Sequence, residues 1–268
     1  MPSDRSPLGH ATGYPEHYDA SVLFAVDRGE QRTYLSGPGL PFTGVDLWTA
    51  FELTWLDHDG KPQTAIGEFR VGADSPAMVE SKSLKLYLGS FAQERIASDE
   101  LVSTLRADLE RTCGAPVGVT LHPASPGVRV AELAGESIDV SKIAMDRYRP
   151  DPALLGRVGT LADETLRTAL FRSNCPVTGQ PDYADVMVRY RGPRIDRDAL
   201  LRYFVSYREH AAFHEACVER MFVDIALHCR PDQLTVYARF LRRGGIDINP
   251  FRSNFETAPQ RNERTPRQ

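Results

Sequence analysis

The strongest constraint on the fold is an alternation of apolar and polar residues that doubles back on itself. In "DLWTAFELTW" (46–55) the alternation runs straight, breaks at "LDHDGKPQ" and returns through "TAIGEFRV" (64–71). A period of two on either side of turn formers specifies an antiparallel hairpin. The period then lengthens to a helical one. In "SKSLKLYLGSF" Leu84, Leu88 and Phe91 fall on one face, and "SDELVSTLRADLERTCG" follows with Ser98 as N-cap and Gly114 as stop. "VGVTLHP" and "GVRVAEL" read as two further strands.

The second half repeats this order of strand, strand, helix, helix, strand. "DETLRTALFRSN" and "DYADVMVRYRGP" are strands around a short loop, "DRDALLRYFVSYREH" and "FHEACVERMFVDIALHC" are helices, and "QLTVYARFLRRGG" is a strand. Two α+β modules are therefore expected, 1–150 and 151–268, divided at the Pro/Gly-rich "DRYRPDPALLGRVG". The word "FRSN" occurs at 171 and at 251, a coincidence that carries no weight in a chain of 268 residues. The segment "NFETAPQRNERTPRQ" has no apolar periodicity and is expected to be mobile.

Charge narrows the partners. With 32 Lys and Arg against 36 Asp and Glu the net charge is −4, which gives no pull toward nucleic acid or anionic membrane. The N-terminal stretch lacks the apolar core of a signal peptide, and no later run is long enough to span a bilayer. A soluble, cytoplasmic protein with a small-molecule partner is expected. In a reducing compartment Cys113, Cys175, Cys217 and Cys229 are read as core, ligand or nucleophile, since no CxxC occurs.

Cys175 stands apart because its neighbours are turn formers: "FRSNCPVTGQPD" places the thiol on a hairpin loop, where amides and polar side chains can stabilise a thiolate. Asp182 opens the next strand, where it can hold a proton near whatever Cys175 attacks. In "FHEACVER" His214 and Cys217 share a helix face and could join Cys175 around zinc, although CxxC and HExxH spacings are missing. Glu215 is either a first-turn glutamate complementing the helix dipole or a carboxylate for an amidine-like edge such as that of guanine. Cys217 and Cys229 read as core. "VESKSLKLYL" gathers Glu80, Lys82 and Lys85 beside serines at a helix start, either a solvated face or an anion site. "RFLRRGG" adds Arg239, Arg242 and Arg243 before Gly244 and Gly245, which suits a phosphate or a surface turn. No G-x-G-x-x-G follows a strand, so a dinucleotide would be held outside a Rossmann fold.

Together "VESKSLKLYLGSF", "FRSNCPVTGQPDYA", "FHEACVER" and "YARFLRRGGIDINPFRSN" resemble the NADPH-dependent 7-cyano-7-deazaguanine reductases of queuosine biosynthesis, in their long, two-module form. The resemblance spans about residues 40 to 255 and implies two tandem tunnelling-fold modules, each an antiparallel sheet with two helices on one face. It makes Cys175 the nucleophile that forms a thioimide with the nitrile, and Asp182 the acid. Val79, Glu80, Ser81, His214 and Glu215 would contact the deazaguanine, and Ser81, Lys82, Arg243 and Gly244 would contact NADPH. Two NADPH are consumed per turnover, no metal is expected, and the protein would be a homodimer without direct nucleic-acid contact. Gly89 and Ala92 stand where the family usually has asparagines, and Phe251 where it has tryptophan. A zinc-dependent GTP cyclohydrolase-like enzyme and a non-catalytic purine-binding module remain as alternatives.

Overall fold

The computed structural model describes residues 13–35, 39–124 and 130–268. The proline-rich opening up to residue 12, residues 36–38 of "SGPGLPFTG" and residues 127–129 of "GVRVAEL" lie outside them. The chain is α+β and forms two compact units that interleave in sequence: Met1–Thr33, Asp46–Gly127 and Arg242–Asp247 in one, Tyr34–Val45, Val128–Leu241 and Ile248–Gln268 in the other.

In the first unit β1 (Ala25–Asp27) leads into a single helical turn, α1 (Arg28–Gln31), and then comes the expected hairpin of β2 (Thr43–Leu56) and β3 (Pro62–Gly72). Its turn closes through Asp57, whose Oδ1 accepts from the amides of Asp59 and Lys61 at 3.1 and 2.9 Å, and Gly60 adopts φ +85°. Asp-Gly turns favour this geometry because glycine enters positive φ without a Cβ clash. A short strand, β4 (Ala77–Val79), pairs antiparallel with β1 and carries the chain into α2 (Ser81–Gly89). The longer α3 (Ser98–Cys113) packs against β4 and β5 (Val117–Pro123), and β5 pairs antiparallel with β3 from Ala65–Pro123 to Val71–Val117. Leu101, Leu105, Leu109 and Cys113, four residues apart, form its buried stripe. Gly114 ends α3 in the left-handed conformation, as expected. Ser98 does not cap it: the cap residue is Ala97, and Ser98 is already helical.

The second unit is built on the sheet order β10-β9-β8-β7-β6. A minimal β6 (Glu136–Ser137) lies parallel to β7 (Arg157–Asn174), which forms a long antiparallel hairpin with β8 (Pro181–Ile195). Then come α4 (Arg197–Val205), capped by Asp196 on the amides of Asp198 and Ala199, and α5 (His214–Cys229). α5 packs on β8 and on β9 (Gln233–Phe240), with Val218, Met221, Phe222, Ile225 and Cys229 buried. β9 pairs with β8 from Ala184–Phe240 to Arg191–Gln233, and with β10 (Ile246–Ser253) through Phe251–Tyr237. Within this unit Arg252 makes a buried ion pair with Glu219 at 2.7 Å.

Three expectations are corrected. The strand expected in "QLTVYARFLRRGG" ends at Phe240, because Gly244 and Gly245 both take positive φ in a turn that starts a further strand, β10. In the described part of "GVRVAEL" only Val130 makes a bridge, to Arg264, and no strand forms. Residues 254–268 are docked: Thr265 and Gln268 are buried, and Arg267 Nε reaches Asp185 Oδ1 at 3.0 Å. The segment is fixed by polar contacts, which leave no apolar period in a sequence.

Candidate active site

Cys175 is the first residue after β7, and only 8% of it is exposed. The alternation of β7 puts Phe171 and Ser173 in the core and leaves Arg172 and Asn174 half-buried. Proline, threonine and glycine then close the loop, with Cys175 N donating to Gln180 O at 2.8 Å and Gly179 N to Cys175 O at 3.1 Å. Gly179 sits at φ +67°, where a side chain would be strained. The strand end is also tied to the segment before α5: Asn174 N donates to His210 O at 2.8 Å, and Asn174 Nδ2 to Arg208 O at 3.1 Å. The thiol thus sits at a fixed corner of the hairpin.

Asp182, the second residue of β8, pairs with Ser173 across the hairpin and is 2% exposed. The Nε2 of His214, the first residue of α5, stands 3.2 Å from Asp182 Oδ2. The imidazole stacks on Phe240, with ring centroids 3.9 Å apart and planes 17° apart. Its Nδ1 is buried and has no hydrogen-bond partner among the described residues. Glu215 follows, buried in the first turn of a helix whose cap residue, Phe213, supplies no side-chain cap. A carboxylate there gains from the helix dipole and can accept from a donor pair.

Two of the other thiols are shifted by burial. Burial pushes Cys217 up to about 12, with the nearby Ser173 opposing the effect and Asp182 and Glu215 adding to it. Burial likewise raises Cys229 to about 11. His214 thus faces the Asp182 carboxylate. No group of three or more His, Cys, Asp or Glu placed to hold a metal ion occurs among the described residues.

The first unit holds a second constellation. Val79 is buried at the end of β4, and Glu80 is the N-cap of α2: Oε1 accepts from Lys82 N at 2.6 Å and Ser81 Oγ at 3.3 Å, and Oε2 from Ser83 N at 2.8 Å. The glutamate of "VESK" thus has a structural task that the sequence reading missed. Ser81, Lys82 and Lys85 are half-buried on the first helical turns, on the side away from the buried Ser83, Leu84, Leu86 and Tyr87. The Arg243–Ile246 turn is closed in both directions, at 2.9 and 3.3 Å, and its Gly244 lies against Lys85: a Cβ at 244 would stand 3.2 Å from Lys85 Cδ. Arg242 lies over the Phe51 ring at 4.6 Å, and Phe51 N donates to Gly245 O at 2.9 Å. Lysines and an arginine around a glycine turn fit the polyanionic part of a nucleotide cofactor. Lys85 belongs in this set, and its contact with Gly244 joins motifs far apart in sequence. Arg239 does not: it is buried in the second unit, bound to Gln268, Tyr237 and Asn262. Phe240, under His214, carried no sequence signal.

Residues 14–121 match the family model "Nitrile reductase, 7-cyano-7-deazaguanine-reductase N-term", and residues 181–259 match "QueF-like protein". The chain is 54% identical over 273 residues to the NADPH-dependent 7-cyano-7-deazaguanine reductase of Bordetella pertussis, covering 100% of each. It is 51% identical over 271 residues to the protein of that name from Chromobacterium violaceum, covering 99% of this chain and 97% of that one.

Proposed function

The chain belongs to the NADPH-dependent 7-cyano-7-deazaguanine reductase family, and from that we propose that Cys175 and Asp182 carry out the reduction of the nitrile in its second unit. It is an oxidoreductase with two family modules in tandem, an arrangement that fits the tunnelling fold.

In this reading the Cys175 sulfur adds to the nitrile carbon. A C–S bond forms, one C–N π bond opens, and Asp182 delivers a proton to the nitrogen, giving a thioimide. His214, 3.2 Å from Asp182, orients the carboxyl and passes protons to it. Glu215 accepts from the ring N–H and the exocyclic amine of the deazaguanine, and Val79, Glu80 and Ser81 are assigned to the same ligand. The cationic set of the first unit fits NADPH: Ser81, Lys82, Arg243 and Gly244 hold it, joined by Lys85. When bound, NADPH supplies the hydride, and it does so twice, because going from nitrile to amine takes four electrons. The C–S bond to Cys175 holds the half-reduced carbon after the first reduction and then breaks, its electron pair returning to sulfur and leaving an imine for the second reduction. We further assign modules 1–150 and 151–268, a homodimer, a cytoplasmic location and a place in queuosine biosynthesis. A zinc cyclohydrolase fits less well, because Cys175, His214 and Cys217 do not form a group placed to hold a metal ion, nor do any other three His, Cys, Asp or Glu among the described residues.

The observation that carries this reading is the buried Asp182–His214 pair one short loop away from Cys175. The test is to mix protein and 7-cyano-7-deazaguanine without NADPH and map the mass. One nitrile added at Cys175 is expected; an adduct on Cys217, or none, refutes it.

A further inference from the structure

The docked C-terminal segment has a route to the acid pair. Gln268 is buried, and its side-chain amide makes bonds on both sides. Oε1 accepts from Arg239 Nε at 2.9 Å and from Thr265 N at 3.0 Å. Nε2 donates to Phe240 O at 3.1 Å and to Asn249 Oδ1 at 2.7 Å. Asn249 Oδ1 in turn accepts from Phe240 N at 3.2 Å. Two side chains, one from β10 and one from the segment after it, thus hold both backbone polar groups of Phe240, the last residue of β9.

A strand end is ordinarily the place where pairing frays. Here it has to be rigid, because the Phe240 ring is the platform under His214 and also meets Phe171 edge-on, at 5.9 Å and 89°, four residues before Cys175. An imidazole stacked at 3.9 Å follows its platform, and with it goes the 3.2 Å approach to Asp182.

We propose that Gln268, through Asn249 and the backbone of Phe240, is a positioning residue for the His214–Asp182 pair, so that the C-terminal segment takes part in the nitrile reduction without touching substrate. The inference rests on the reading of Asp182 as proton donor. A displacement of 1 Å in a catalytic group costs on the order of 100-fold, and loosening a platform by a fraction of that should cost about 10-fold.

The test compares Gln268→Ala with Gln268→Glu in the full-length protein. The glutamate keeps an acceptor for Arg239 and Thr265 but has no donor for Phe240 O or Asn249. For both variants we expect kcat to fall about 10-fold with the KM for nitrile unchanged. We also expect the NMR signals of the His214 imidazole, identified by their loss in His214→Asn, to move away from the ring-current shift of a stacked ring. An unmoved His214 signal overturns the proposal at any rate, and so does a moved signal with wild-type kcat. A Gln268→Glu enzyme as fast as wild type beside a slow Gln268→Ala enzyme overturns it too, because the role would then belong to the Arg239 and Thr265 bonds. Failure of the underlying reading shows elsewhere, as a normal rate in Asp182→Asn with Gln268 intact.

Discussion

Replacing Gly244 with alanine should separate the two chemistries of the enzyme. Gly244 has φ +60°, where a Cβ costs roughly 1–2 kcal/mol. The added carbon would also stand 3.2 Å from Cδ and Cε and 3.3 Å from Nζ of Lys85. That side chain is flexible, so it gives way by a few tenths of an ångström and takes its ammonium with it. The strain should lower the melting temperature by about 2–4 °C per kcal/mol in a chain of this size. Losing one charge-assisted hydrogen bond to a phosphate costs about 1.5–3 kcal/mol, so KM for NADPH should rise about 10- to 100-fold. The rate at which nitrile labels Cys175 without NADPH should not change, since neither Gly244 nor Lys85 is among the residues assigned to the nitrile or the deazaguanine. Steady-state kinetics at varied NADPH, together with timed intact-mass measurements, read both numbers. An unchanged KM, or labelling slowed in parallel, would refute the assignment of the glycine turn and Lys85 to the cofactor.

Asp182→Asn should still bind the nucleobase while adduct formation slows by about 100- to 10,000-fold, because an amide cannot protonate the nitrile nitrogen; a near-normal rate in rapid-quench mass spectrometry would move the acid role to His214. Iodoacetamide on the folded protein at pH 8.5 should spare Cys217 and Cys229, whose thiols burial raises to about 12 and about 11, and peptide mapping that finds either one alkylated would contradict their burial. Burial, with a contribution from Arg220, lowers His210 from 6.5 to about 4, so between those values the unfolded chain takes up a proton that the folded one refuses. Stability from this group is complete above pH 6.5 and is lost as pH falls toward 4, so His210→Gln should flatten the dependence of urea midpoint on pH in that window.

What was legible in the sequence was local. The hairpin around Asp57 and Gly60 showed itself by a period of two broken at Asp-Gly, and α3 by four apolar residues spaced by four and a terminal glycine. Cys175 was legible because its neighbours are turn formers, a property of the loop and not of the tertiary structure. β10 was not, because its eight residues are buried on both sides and do not alternate. Ser98 was misread as a cap because a serine before an apolar run fits the first helical position as well as the cap. The roles of Glu80, Lys85, Phe240 and Gln268 depend on partners distant in sequence, apart from the cap of Glu80, whose glutamate is outside the usual capping set.

The strand that presents Cys175 shows why period alone could not say which way its residues face. Leu166 and Thr168 are buried, and so are Phe171 and Ser173. The two pairs differ in parity, so an uninterrupted strand would bury one and expose the other. Between Thr168, which pairs with Val186, and Phe171, which pairs with Ala184, β7 advances three residues while β8 advances two. The additional residue is a bulge, which resets the alternation and increases the local bend. Because of it Phe171 stands against Tyr207 and Phe240, at ring distances of 5.4 and 5.9 Å, in place of an exposed position. Asn174 is then in register with Pro181 and within reach of the His210 carbonyl at 2.8 Å. The position of Cys175 is thus set four to seven residues upstream of it, by one unpaired residue whose polar and apolar neighbours look like ordinary strand.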